Sequence, residues 1–129
     1  MVSQFTTSAE RTLQERRLLD RLLGLYSEQQ RLYGEVLDLS RRQRDLVHEG
    51  EPLARIRSIL DAKRTRLATI SRLEMTEETS KNEWRRGRRQ WSADSRVSLH
   101  RALESVGNVI EEILACEEEN DRELLHQCR

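Results

Sequence analysis

The sequence predicts an all-α fold, an elongated antiparallel bundle of three main helices with coiled-coil-like packing. Charged side chains make up 36% of the 129 residues, and there are one proline and five glycines. An average soluble domain is about 25% charged and about 7% Gly, so this composition favours continuous helix over turn-rich β-structure. Apolar residues recur at heptad spacing in three long runs, and one Gly-Pro break and one polar stretch separate those runs. A chain of this length supports a single domain, 1–129, around one core. With aromatics at 4%, leucine must fill that core.

The first helix is expected near 8–49. Leu18, Leu22, Leu25, Gln29, Leu32, Val36, Leu39, Gln43 and Leu46 step alternately by four and three, the spacing of a coiled-coil seam. A second stripe lies beside it through Leu19, Leu23, Tyr26, Tyr33, Leu37, Ser40 and Val47. Two adjacent stripes make a face wide enough for two neighbouring helices. Gln29 and Gln43 interrupt the first stripe two heptads apart, which marks either positions that set register or a spot where a partner docks, and register is the simpler reading. About 40 residues at 1.5 Å each give a rod about 60 Å long.

Gly50 and Pro52 end that rod: Gly50 as a left-handed stop, Pro52 in the first turn of the next helix. So short a link makes the second helix, near 52–78, an antiparallel neighbour. Leu53, Ile56, Leu60, Lys63, Leu67, Ile70 and Glu74 follow the same spacing there. The period fails over 79–93, a basic connector with room for a helical turn or two, in which Trp84 and Trp91 bracket Arg85, Arg86, Arg88 and Arg89. Ser92 and Ser95 offer N-caps to a third main helix, near 94–127, with Leu99, Leu103, Val106, Ile110, Ile113, Glu117, Asn120 and Leu124 in heptad register.

Net charge is zero, so no global field draws the chain to nucleic acid or an anionic membrane. Charge is nonetheless segregated: residues 81–101 carry seven basic and two acidic side chains, and 104–129 carry two and eight. The connector arginines are expected to meet that acidic segment. No run approaches the roughly 20 apolar residues of a membrane span, and the first residues have neither the basic end nor the apolar block of a signal peptide. Cys116 and Cys128 lie about 18 Å apart along one helix, too far for a disulfide, so free thiols in a reducing cytoplasm are expected.

Catalytic, metal and cofactor chemistry is not expected. There is no Gly-rich phosphate loop and no nucleophile elbow, and Cys116 and His126 are about 15 Å apart. Glu123-Leu-Leu-His126 and Asp45-Leu-Val-His48 have an i, i+3 spacing that di-iron bundles use, but no matched glutamates accompany them, and both pairs read as surface features. The Trp84–Trp91 segment could stack bases and bind phosphate; a solvated connector is the simpler reading.

The stretch from Asp61 to Glu74 (DAKRTRLATISRLE), after a long helix ending at Gly50-Glu51, resembles the second-helix signature of FlgN-type flagellar export chaperones. Asn120-Asp-Arg-Glu-Leu-Leu125 resembles that family's closing N-x-x-x-L-L run. The resemblance extends over roughly 13–126. It implies a cytoplasmic, all-helical, non-enzymatic chaperone whose partners are secreted flagellar hook-associated proteins and the flagellar export gate. By position it implies a client surface on the last helix at Val106, Ile110, Ile113, Asn120, Leu124 and Leu125. Longer members continue into a tail, whereas this chain ends at Arg129. Two other readings stand beside it: a nucleic-acid-associated protein using Arg85–Arg89, and a structural coiled-coil adaptor that self-associates as a homo-oligomer.

Overall fold

The computed structural model describes residues 7–127 as four helices: α1 (Ser8–His48), α2 (Leu53–Thr76), α3 (Glu78–Gly87) and α4 (Ala93–Gln127). A capping box opens α1. The Thr7 hydroxyl accepts from the Glu10 N–H at 3.1 Å, and the Glu10 carboxylate accepts from the Thr7 N–H at 3.3 Å, so two backbone donors are satisfied reciprocally. At the other end Gly50 adopts φ +69°. The Glu51 N–H then reaches the Leu46 carbonyl at 3.0 Å, and the Gly50 N–H reaches Val47 at 3.1 Å, the Schellman closure a left-handed glycine permits. Pro52 sits at the N-cap of α2, one residue ahead of the expected first turn.

From this break α2 descends antiparallel along α1. Ile56 and Ile59 cluster with Leu46 and Val47, Lys63 bonds Gln43, Gln29 bonds Glu74 at 2.7 Å, and Arg21 pairs with Glu77 at 2.9 Å. The return helix α4 runs parallel to α1. Its start lies by Glu15, whose carboxylate accepts from the Ser92 N–H. Further up, Leu99 and Val106 pack with Leu18, Leu22, Leu25 and Tyr26. Ile113 and Cys116 pack with Val36 and Leu37, and Leu124 lies against the Leu46–Ile59 cluster.

The bundle is thus up-down-up about a central α1, whose two stripes serve two neighbours as the sequence predicts. No backbone contact within 8 Å joins α2 to α4; directly packed helices lie 8–10 Å axis to axis, so these two are splayed on either side of α1.

The connector is more helical than expected. A single break at Glu77 separates α2 from α3, and α3 lays Trp84 into the lower core. Trp84 and Trp91 stack with ring centroids 5.4 Å apart and planes at 22°, and the Trp91 indole N–H donates to the Trp84 carbonyl at 2.7 Å. Both rings are buried. A Cβ at Gly87 would lie 2.2 Å from Trp91 Cζ2, so only glycine lets the ring close over α3. Ser92 then caps α4, its hydroxyl accepting from the Ser95 N–H at 3.2 Å.

The expected contact between the connector arginines and the acidic segment is absent among the described residues. Arg85, Arg86, Arg88 and Arg89 are exposed at the lower end, whereas Glu112, Glu119 and Glu123 pair with Arg41, Arg44 and His48 near the upper end. About 27 Å of helix separates residues 93 and 111, and α4 carries its acids away from the connector.

Candidate functional site

The most polar part of the interior lies in the upper part of the bundle, at the level of Ser40 and Gln43 of α1. Lys63, 6% exposed, reaches from α2 across the α1 surface. Its ammonium donates to Gln43 Oε1 at 2.7 Å and Glu117 Oε1 at 2.6 Å, with Ser40 Oγ at 3.5 Å. The Ser40 hydroxyl also donates to Glu117. Asn120, fully buried, donates its amide N–H to the Ser40 carbonyl at 3.0 Å, and its Oδ1 has no hydrogen-bond partner. One buried cation therefore holds groups from all three long helices. Gln43 sets register by accepting this lysine; Gln29, two heptads below, donates to Glu74.

Glu74 belongs to a second polar cluster at the α2–α3 joint, with Lys81 as its ion-pair partner. Burial pushes the Glu74 carboxyl up, but hydrogen bonds from Gln29 and Lys81 and the charges of Lys81 and Arg85 outweigh it and hold it below the usual range. The hydrogen bond to Glu74 holds the Lys81 ammonium above its ordinary value. Burial, with the nearby Glu74 charge, raises the Tyr26 and Tyr33 phenols.

The six residues expected to bind a client have different fates. Val106 and Ile113 are core, packed by α1, and Asn120 is in the polar layer. Ile110 and Leu124 are half-buried against the core. Leu125 alone of the six is fully exposed, at 68%. The expected groove is therefore the inner face of α4 and is filled by α1, because the first helix carries two stripes and the second is matched to this one.

The open apolar surface lies one step around the helices. On α4, Leu103 and Ile110 share a side with Glu117 at seven-residue intervals, and that side faces α2 because Glu117 reaches Lys63. Leu114, 62% exposed, continues the row. On α2 the exposed Leu53, Leu60 and Leu67, seven apart, occupy the corresponding flank. The opposite flank, with Arg55, Ser58, Ile59 and Ala62, lines a cleft of about 260 Å³ against Leu39, Arg42 and Leu46. Two leucine rows thus border the seam between the splayed helices. The signal was present in the sequence: Lys63 and Glu117 both sit at heptad positions on apolar stripes, which marks where the two helices meet.

A wider cleft of about 1080 Å³ separates the start of α1 from the α2–α3 joint, lined by Leu13, Arg17, Arg21, Thr79, Ser80 and Glu83 among others. At the upper end His48 Nδ1 lies 3.4 Å from Glu123, so the two i, i+3 pairs adjoin. Among the described residues no group of three or more His, Cys, Asp or Glu is placed to hold a metal ion, and no helix is long and apolar enough to cross a membrane. Cys116 is a free, buried thiol whose pKa burial raises; Cys128 lies outside the described residues. No family model, curated protein or solved structure matches the chain.

Proposed function

We propose that the chain is a non-catalytic, cytoplasmic chaperone that holds an amphipathic helix of a secreted flagellar hook-associated protein before delivery to the export gate. The observation that supports this reading is the seam between α2 and α4, where Leu60 and Leu67 line the upper part and Leu114, Ile110 and Leu103 continue it downward from the level of Leu67, over a floor supplied by α1. A helix laid there with apolar anchors at i, i+3, i+4 and i+7 would complete a fourth side of the bundle. Full burial of a leucine contributes about 1.5–3 kcal/mol, so several half-exposed leucines suffice for a reversible grip. The flagellar identity of the client rests on the resemblance of the Asp61–Glu74 and Asn120–Leu125 segments to FlgN-type chaperones.

Calorimetric titration of the purified chain with synthetic C-terminal segments of hook–filament junction proteins tests the reading. Saturable binding with a negative heat-capacity change, abolished by Leu67→Glu with Leu114→Glu while helicity is retained, is expected. Absence of binding by every such segment overturns the flagellar assignment. The nucleic-acid reading loses its aromatic component, because both tryptophans are buried and stacked on each other.

A further inference from the structure

We infer that, without a client, the α2–α4 seam is covered by a second copy of this chain, in a two-fold dimer that sets α2 of each protomer over α4 of the other. Opposite charges flank the two leucine rows. On α2, Arg57 and Arg64 stand outside Leu53, Leu60 and Leu67; on α4, Glu111 and Glu118 stand outside Ile110 and Leu114, and all four charged residues are exposed. Their only ion pairs among the described residues are intrahelical and long, Arg64 with Asp61 at 3.7 Å and Glu118 with Arg122 at 3.8 Å. Such exposed pairs contribute little and exchange readily.

One lip of the seam is therefore basic and the other acidic, with a leucine row inside each. A two-fold axis parallel to the helices carries the basic lip of one protomer over the acidic lip of the other at the same height. The Lys63–Glu117 bond fixes α2 and α4 in antiparallel register, which puts Arg64 within about 3 Å of the height of Glu118 and leaves Arg57 and Glu111 each about 7.5 Å along the axis from the nearest opposite charge, a span their long side chains bridge. The alternative axis, across the helices, would stack arginine on arginine and glutamate on glutamate. A foreign helix would need an apolar stripe with acid on one flank and base on the other, and this chain already presents that surface to itself. The face is two helices wide, about 20 Å, and spans about 22 residues, about 33 Å. Its area of about 700 Å² per protomer approaches the roughly 800 Å² that a stable interface buries on each partner.

Sedimentation equilibrium of the purified full chain at low salt tests this without any client. The wild type is expected to be dimeric at micromolar concentration and to dissociate as salt rises. Arg57→Glu with Arg64→Glu, or Glu111→Lys with Glu118→Lys, should each weaken the dimer at least about tenfold with unchanged helicity. All four substitutions in one chain should restore it, since acid and base merely trade lips. Leu60→Glu with Leu67→Glu should give a monomer that four charge changes elsewhere do not rescue. A monomeric wild type overturns the inference, as does a dimer indifferent to these changes or a fourfold variant that stays monomeric. None of these results bears on client binding, which the peptide titration measures separately.

Discussion

At the scale of single residues, Gly87 and Lys63 carry more of the fold than their size or polarity suggests. An added methyl at Gly87 would occupy space held by the Trp91 ring, and relief requires breaking the tryptophan stack or the indole hydrogen bond. Overpacking of this kind costs about 1–3 kcal/mol. Gly87→Ala should therefore lower the unfolding midpoint and change tryptophan fluorescence, whereas Gly24→Ala, with open space around it, should preserve fluorescence. Lys63 poses the opposite problem. Lys63→Ala leaves Gln43 without its donor and the partly buried Glu117 with only the Ser40 hydroxyl, and because Glu117 is one-third exposed the loss should be about 1–3 kcal/mol. Lys63→Met combined with Glu117→Leu removes both charges together and should recover most of it. A double-mutant cycle by chemical denaturation gives the coupling; additive losses would show that the ion pair does not join α2 to α4.

At the scale of helices, the joint between α2 and α3 has a pH dependence that follows from Glu74 and Lys81. Glu74 is held below its ordinary pKa, so its contribution is present above the unfolded value and disappears as pH falls through the lowered one. Lys81 is held above its ordinary value, so its contribution is full below the unfolded value and disappears as pH rises through the raised one. The joint is therefore firm from the upper edge of the carboxylate range to the lower edge of the lysine range. Melting followed from about pH 7 to about pH 3 should show a falling midpoint, and Glu74→Gln should flatten that fall; an identical slope in the variant would remove Glu74 from the account. The sequence exposes this element only in part. Heptad spacing made α1, α2 and α4 legible because leucines and glutamines recur over many turns, and Gly50 made the α1–α2 break legible because one residue type suits that backbone. α3 was hidden because its ten residues carry one buried aromatic and no repeat, and its place depends on Trp91 beyond its own end.

At the scale of the molecule, the sequence could reveal the width of the α1 face but not which face of α4 would meet it. Val106, Ile113 and Leu103 all lie on an apolar spacing, and a difference of one stripe separates core from open seam. The packing decides this, and it leaves an asymmetric molecule. α1 is clasped from two sides, whereas α2 packs chiefly on α1 and is joined to α4 through Lys63 and Glu117, with Leu124 against the cluster that α1 and α2 share. Lifting α2 away opens one interface; releasing α1 opens both. Regions with fewer buried contacts open at lower free energy, in contiguous units. Native-state hydrogen exchange should therefore find the amides of Leu53–Thr76 less protected than those between Gln29 and Gln43 of α1, with the α4 amides near Val106 and Ile113 closer to α1. Ile70→Ala, which truncates a buried anchor of α2, should cost about 2–5 kcal/mol and speed exchange in α2 first. Ile113→Ala should instead speed exchange in α1 and α4 together. Uniform protection across all three long helices, or a response to Ile70→Ala as large in α4 as in α2, would mean that the bundle opens as one unit and that α2 is not a separable arm.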